Sequence, residues 1–149
     1  MPDISINEFA DKITKIMPVL VREFSRHSSD ELMKGKVSLP QFLIMCYLNE
    51  DKEAKMKDLA AYIHVTTAAT TGIVQRLVRE GYALRVYEPN DRRIIKIRLT
   101  DKGRELVKKI SEQRKRAVIR VFGKISGSDR GQYLKILEKI KSAVLKDTS

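Results

Sequence analysis

The sequence LAAYIHVTTAATTGIVQRLVREGYALRVYEPNDRRIIKIR, which runs from Leu59 to Arg98, decides the fold of this chain. It opens with a short helical segment that ends at a tight turn, His64-Val65. A second helix is predicted from about Thr67 to Glu80, and Gly81 ends it. Two short strands with alternating apolar residues follow, joined by a charged loop. An isolated hairpin is only marginally stable, so this one is expected to pack against the helices.

The second helix has one apolar and one polar face. Thr66 is expected to cap it, because the threonine hydroxyl can accept a free N–H group of the first turn. Helical spacing groups the apolar residues Ile73, Val74, Leu77 and Val78 on one side. The other side carries Thr67, Ala68, Thr71, Gly72, Gln75, Arg76 and Arg79. Thr66 and all of these residues except Arg79 are the candidate DNA-binding residues of this helix. Threonine can contact a thymine methyl group, glutamine pairs with adenine and arginine with guanine, so this face is suited to reading bases. The alternative is an ordinary amphipathic helix with a solvated polar face.

The hairpin favours the first interpretation. Leu84 and Val86 alternate with more polar neighbours, and the second strand alternates in the same way, as in a half-buried ribbon. The loop between the strands, residues 88–93, carries the candidate site residues Asn90, Asp91, Arg92 and Arg93. A rigid ribbon that presents arginine is suited to the negative potential of a minor groove. Asp91 is expected to pair with Arg93 and leave Arg92 to reach outward. The alternative is a polar turn whose ion pair contributes little.

In order and spacing, these pieces resemble the MarR family (multiple-antibiotic-resistance regulators). The matching segments are Ser38-Leu39-Pro40-Gln41-Phe42, Leu59-Ala60, Val65-Thr66, Thr71, Leu77, Glu80-Gly81, Asp91-Arg92-Arg93 and Leu99-Thr100-Asp101-Lys102-Gly103-Arg104. The resemblance implies a mostly α fold with a small two- or three-stranded β-wing, a winged helix-turn-helix, and N- and C-terminal dimerisation helices. It implies a homodimeric transcriptional regulator, commonly a repressor, which a small ligand or an oxidant releases from double-stranded DNA.

We therefore expect residues 1–149 to form one domain of this type, with the winged helix-turn-helix at about 37–100. The dimerisation helices are expected at about 5–34 and 101–146. The first of them shows helical apolar spacing from about Ser5 to His27, and Pro18 is expected to kink or split it. Its wide apolar stripe covers either the chain's own core or a second subunit, and the resemblance favours the second subunit.

Composition limits the possible partners. The 149 residues carry a net charge of +11 and a pI of about 9.8, which indicates a nucleic-acid partner. Anionic membrane surfaces are the competing explanation for the charge, but no apolar run is long enough to span a bilayer. The N-terminus lacks the apolar core of a signal peptide. The single cysteine, Cys46, excludes an internal disulfide and fits the reducing cytoplasm.

Several local signals place the remaining elements. Ser38 and Gln41 form a predicted capping box at the start of a helix that is apolar nearly all round, in which Cys46 is expected to be buried and inert. Residues 49–55 are expected to form a charged loop. His64 stands where this kind of turn often has glycine, so we expect it to adopt the left-handed conformation. Thr100 and Ser126 are expected to cap the last two helices.

The remaining candidates are weaker. Lys102 and Arg104 lie at the base of the hairpin, where they could contact phosphate. The resemblance implies an effector cleft for a phenol or an aromatic carboxylate, with Met17 and Tyr47 as candidate lining residues; both also suit an ordinary core. No metal site or cofactor is expected from two histidines and one cysteine. No catalytic constellation is present, so an enzyme is not expected. The remaining rival is a non-specific architectural DNA-binding protein that relies on its charge.

Overall fold

The computed structural model of the protein describes residues 3–27 and 34–147, and the predicted positions 28–33 of the N-terminal helix lie outside the described residues. Six helices and three strands occur in the described part of the chain. In chain order they are α1 (Ile6–His27), α2 (Leu39–Asp51), β1 (Glu53–Lys55), α3 (Met56–Ile63), α4 (Thr67–Arg79), β2 (Ala83–Tyr87), β3 (Ile95–Leu99), α5 (Asp101–Phe122) and α6 (Gly127–Asp147). The mostly helical fold with a small three-stranded antiparallel sheet confirms the predicted fold class. The described residues form two compact units, residues 3–27 with 115–147 and residues 34–114.

The turn between α3 and α4 has the predicted left-handed residue. His64 adopts φ 55° and ψ 43°, and its N–H donates to the carbonyl of Ala61 at 3.3 Å. The next N–H, of Val65, donates to the carbonyl of Ala60 at 3.2 Å. These bonds satisfy carbonyl groups that the end of α3 would otherwise leave open. The turn then delivers the chain to Thr66, whose hydroxyl accepts the N–H of Ala69 at 3.1 Å and starts α4.

This geometry gives a first prediction. Replacing His64 by valine should destabilise the chain by about 1–2 kcal/mol, because a β-branched residue is strained at positive φ. Replacing it by glycine should cost little or stabilise, since glycine adopts this conformation without strain. Urea unfolding of the two variants and the parent would measure the difference. Equal stabilities for valine and glycine would contradict the strained-turn explanation.

The sheet has the order β1-β3-β2 and is antiparallel throughout. The predicted charged loop at residues 49–55 is wrong, because α2 continues to Asp51 and residues 53–55 pair with β3 as an edge strand. In β2, Ala83 lies opposite Leu99, and both are buried. Leu84 lies opposite Arg98 and is 39% exposed. Directly opposed residues share a face of the sheet, so the core face of β2 is the one that begins with Ala83 and not the one that carries Leu84.

The core of residues 34–114 forms around α2, α3 and α4. Its fully buried side chains include Ile44, Met45, Leu48, Leu59, Val74, Leu77, Ile97 and Ile110. The predicted capping box at the start of α2 is confirmed, since the hydroxyl of Ser38 accepts the N–H of Gln41, whose side chain accepts the N–H of Ser38 at 2.7 Å. Cys46 is only partly buried, contrary to expectation. Desolvation nevertheless raises the pKa of its thiol, with a contribution from Glu50, so the inert thiol form is favoured.

The start of α5 is fastened to the end of α4. The hydroxyl of Thr100 accepts the N–H of Gly103 at 3.0 Å, as the predicted cap requires, and donates to the carbonyl of Gly81 at 2.6 Å. Lys102 donates to the carbonyl of Glu80 at 2.7 Å and lies 4.7 Å from the ring centre of Tyr82. These contacts hold the base of the wing against the last turn of α4.

The other unit, described over residues 3–27 and 115–147, contains α1, the end of α5 and α6. Helix α1 is continuous through Pro18, so the proline does not split it. The rings of Phe24, Phe122 and Tyr133 form a cluster with centroid separations of 5.9 and 5.3 Å. Large apolar side chains remain exposed on each of these helices, among them Ile6, Phe9, Ile16, Met17, Ile119, Leu134, Leu137 and Ile140. None of the described residues of α6 is buried.

Candidate nucleic-acid interface

Helix α4 divides its residues between core and solvent as predicted. Val74 and Leu77 are fully buried, and Ile73 and Val78 pack against the same core. Every predicted base-reading residue is exposed: Thr66, Thr67, Ala68, Thr71, Gly72, Gln75 and Arg76. Space on this side is open, because a Cβ atom added at Gly72 would meet nothing within 4 Å. The polar face of α4 is therefore not covered by other parts of the chain at Gly72.

Hydrogen bonds within α4 determine which groups of its threonine side chains are available to a ligand. The hydroxyl of Thr71 donates to the carbonyl of Thr67 at 2.8 Å, so Thr71 presents its methyl group and oxygen lone pairs outward. Thr66 accepts the N–H of Ala69 and keeps its own proton for an outside acceptor. The N–H groups of the first turn, at Thr67 and Ala68, precede the first intrahelical bond and are suited to a phosphate. Sequence reasoning missed Thr70, which is completely buried and donates to the carbonyl of Thr66 at 2.9 Å.

The wing, which we define as β2, β3 and the loop 88–94 between them, has a closed and ordered tip. The N–H of Glu88 donates to the carbonyl of Ile94 at 3.1 Å. Asp91 braces the tip through backbone, since its carboxylate accepts the N–H of Arg93 at 3.0 Å and its carbonyl accepts the N–H of Ile94 at 3.0 Å. The prediction of an ion pair between Asp91 and the guanidinium of Arg93 is wrong. Among the ion pairs of the described residues, none joins these two side chains. Asn90, Asp91, Arg92 and Arg93 are all exposed, so two arginines project from a braced loop.

The basic residues at the base of the wing make intramolecular hydrogen bonds and an ion pair. Arg104 pairs with Asp101 and donates to the carbonyl of Leu99 at 3.1 Å, and Lys102 caps α4 as described above. Both side chains stay largely solvent-accessible. Phosphate contacts of Lys102 and Arg104 would therefore compete with these intramolecular bonds. In the described part of the chain, the side chains of Arg92 and Arg93 at the wing tip make no such bonds.

The two candidate effector residues belong to different units. Met17 lies on α1 and is 46% exposed. Tyr47 lies on α2, and its ring centre is 4.9 Å from that of Tyr62. Partial desolvation raises the pKa of the Tyr47 hydroxyl, and the carboxylate of Asp51 adds to the effect. The role of both residues as effector ligands stays a prediction.

Metal-binding and membrane-spanning features can be assessed over the described residues, 3–27 and 34–147. No group of three histidine, cysteine, aspartate or glutamate side chains there is arranged to hold a metal ion. None of the helices in that part is both long and apolar enough to cross a membrane.

Comparison with known proteins agrees with this geometry. The MarR family model matches residues 37–95, which contain α2, α3, α4 and most of the wing. BilQ, an HTH-type transcriptional regulator of Clostridioides difficile (strain CD3), is 25% identical over 137 residues, covering 90% of this chain and 93% of BilQ. The matched family and relative are transcriptional regulators rather than enzymes.

Two solved structures share the fold over nearly the whole chain. A mutant of MarR from E. coli, solved in complex with operator DNA, superposes with a TM-score of 0.66 at 17% identity, covering 92% of this chain and 99% of MarR. BpsR of Bordetella bronchiseptica, whose DNA binding is regulated by 6-hydroxynicotinic acid, superposes with a TM-score of 0.67 at 20% identity, covering 95% of this chain and 98% of BpsR. At this level of identity the likeness concerns the fold.

Proposed function

We propose that this chain, whose residues 37–95 match the MarR family model, is a DNA-binding transcriptional regulator of that family, and from this premise that it binds a pseudo-palindromic operator as a homodimer and acts as a cytoplasmic repressor. One observation carries the proposal: the whole predicted base-reading face of α4 is exposed beside a braced wing that projects Arg92 and Arg93. Two copies of α4 would enter successive major grooves, with half-site centres about 34 Å apart.

In this proposal the contacts divide by type. Gln75 and Arg76 reach base edges with their longer side chains, and Thr71 offers a methyl group to thymine. Thr67 and Ala68 approach phosphate through the free N–H groups at the start of α4. Arg92 enters the minor groove, where the potential is most negative. Repression would follow from occupying the promoter.

The exposed apolar residues of α1, α5 and α6 support the dimer. A monomeric protein rarely exposes many large apolar side chains together. Leu134 is 57% exposed, Ile136 54% and Ile140 52% within a single chain. A second copy of the chain would remove this surface from water, and the two-fold symmetry of a dimer would match that of a pseudo-palindrome.

A second prediction follows from this interface. Leu134→Glu should convert the dimer to monomer at micromolar concentration, because an unpaired carboxylate would have to be buried between the subunits. Ser142→Glu, at an exposed polar position of the same helix, should leave the dimer intact. Sedimentation velocity distinguishes the species. A parent chain that sediments as a monomer, or a Leu134→Glu variant that stays dimeric, would contradict the proposed interface.

Release by a small aromatic acid is the regulatory part of the proposal. It is supported by the family resemblance and by the regulation of BpsR, a protein of similar fold, by 6-hydroxynicotinic acid. Titrating a panel of phenols and aromatic carboxylates against the protein–DNA complex tests it. A decrease in operator affinity with one class supports an effector site, with Met17 and Tyr47 as the first positions to substitute. A panel without any effect would count against it.

The main test of function separates a specific regulator from an architectural DNA-binding protein. Duplexes would be selected from a random DNA pool at near-physiological salt. A recovered inverted repeat with half-sites about one turn apart would support the regulator. Both candidates have a salt slope of about −0.9 per neutralised phosphate, but the regulator adds a large specificity ratio. A pool that stays random, with binding that vanishes as salt rises, would favour the architectural protein.

A further inference from the structure

Four charged side chains, from β1, from β3 and from the residue after β2, form a chain of ion pairs, which we call the ion-pair relay. Glu53 on β1 accepts a hydrogen bond from Lys96 of β3 at 2.8 Å. The other oxygen of Glu53 accepts two bonds from Arg98, at 2.8 and 2.6 Å. Lys96 also pairs at 2.5 Å with Glu88, the residue that follows β2 and begins the wing loop. The relay thereby connects the edge strand to the base of the wing through side chains.

The ion-pair relay lies on the outer face of the sheet, opposite the core. Glu53 is directly opposite Arg98, and Lys55 is directly opposite Lys96. Two lysines in directly opposed positions destabilise a sheet, and the carboxylates that flank Lys96 offset that repulsion. The side chains of Lys96, Glu53 and Glu88 are 27%, 30% and 34% exposed, so water does not fully screen them.

The directions of the pKa shifts of Glu53 and Lys96 agree with these hydrogen bonds. Hydrogen bonds from Lys96 and then Arg98 hold the pKa of Glu53 below its ordinary value. Hydrogen bonds to Glu53 and then Glu88 raise the pKa of Lys96. Both shifts favour the charged forms, so the central pair of the relay remains ionised near neutral pH.

Resting on the proposed role of the wing, we propose that Glu53 is a positioning residue for DNA binding, which acts through Lys96 and Glu88 to set the direction in which the wing presents Arg92. The backbone ladder between β1 and β3 covers three residues, and the wing tip extends beyond them. The relay adds a side-chain contact, the ion pair between Lys96 and Glu88, at the point where β2 ends and the wing loop begins. The relay also pairs the positive charges of Lys96 and Arg98 with carboxylates of the protein. Arg92 and Arg93 at the wing tip are exposed, and they are the cations that this wing would present to DNA.

The sign of the effect separates positioning from simple charge. Removing a carboxylate from a DNA-binding protein should tighten binding through charge alone, whereas loss of a positioning contact should weaken it. Glu53→Gln is therefore expected to weaken affinity for the selected duplex about twofold to fivefold, the size of effect that a lost exposed ion pair has. Glu105→Gln, an equal charge change at an exposed residue of α5, should leave affinity unchanged or slightly tighter. Glu88→Gln breaks the other half of the relay and should act like Glu53→Gln.

A double-variant cycle tests whether the effect passes through the wing tip. In an Arg92→Ala background, Glu53→Gln should have no further effect, because the group that it positions is gone. Thermal unfolding of each variant confirms that it is folded. Tighter or unchanged binding by Glu53→Gln, or equal losses in both backgrounds, would overturn the inference.

A measurement without DNA keeps the inference separate from the function proposal. A nitroxide label at Asn90→Cys in a Cys46→Ala background reports the mobility of the wing tip by electron paramagnetic resonance. Glu53→Gln should increase that mobility and Glu105→Gln should not. An unchanged spectrum for Glu53→Gln overturns the positioning role. If Arg92→Ala leaves DNA affinity unchanged while Glu53→Gln increases tip mobility, the proposed wing contact fails but the positioning of the wing stands.

Discussion

Replacing both Gln75 and Arg92 by alanine should weaken operator binding at least about a hundredfold, the largest functional effect expected for this chain. Gln75 lies on the exposed face of α4 and Arg92 at the exposed tip of the wing. A bidentate base contact is worth about 1–3 kcal/mol of discrimination, and a dimer loses each contact twice. Fluorescence anisotropy with the selected duplex, at fixed salt, measures the loss.

The single variants Gln75→Ala and Arg92→Ala should differ in whether they change base preference or overall affinity. Gln75→Ala should relax preference at one base position of each half-site, whereas Arg92→Ala should weaken binding to many sequences and reduce the salt slope. Lys108→Ala, which removes one positive charge from an exposed position of α5, is the control for charge. A double variant that binds its operator normally would show that these residues are not the DNA contacts.

Gly103→Ala should destabilise the chain by about 2–4 kcal/mol, the largest stability effect expected. An added Cβ atom would clash with the carbonyl oxygen of Tyr82 and lie 3.0 Å from its carbonyl carbon and 3.1 Å from a methyl carbon of Leu99. That carbonyl cannot retreat cheaply, because it accepts the N–H of Thr100 at 3.1 Å and the N–H of Tyr82 donates to Leu77 at 2.8 Å. The clash would separate α5 from the junction of α4 and β2.

Denaturant unfolding of Gly103→Ala and Gly72→Ala measures this effect against a matched substitution. Gly72 also lies within a helix, but its added Cβ would meet nothing within 4 Å. Alanine there should leave stability unchanged or raise it by up to about 1 kcal/mol through helix propensity. Equal stabilities for the two variants would mean that the close approach at Gly103 is relieved by a small movement of the backbone.

Features that depend on near neighbours in sequence were predictable. The caps at Ser38, Thr66, Thr100 and Ser126 each bind an N–H group three residues later, as the sequence indicates. The left-handed turn at His64 follows from the same short-range logic, because few residues tolerate positive φ. The exposed face of α4 follows from helical periodicity, which places the site residues opposite Val74 and Leu77.

Features that depend on strand pairing were not predictable. Alternation in β2 suggested that Leu84 and Val86 were the apolar face, but the register with β3 turns Ala83 toward the core. The short strand β1 was taken for a loop, since three residues carry too little periodicity to be recognised. The partner of Asp91 was a backbone N–H rather than a guanidinium, because loop geometry decides which donor is within reach.

The sequence by itself determined the starts of the capped helices, the turn at His64, the exposed polar face of α4 and the arginine-tipped loop, because each arises from interactions within a few residues. Only the tertiary structure decided the third strand, the inward face of β2, the close approach at Gly103 and the relay from Glu53 to Lys96. The two ends of that last contact are 43 positions apart in the chain. Such geometry depends on strand register and on the packing of α5 against the end of α4, which no local pattern specifies.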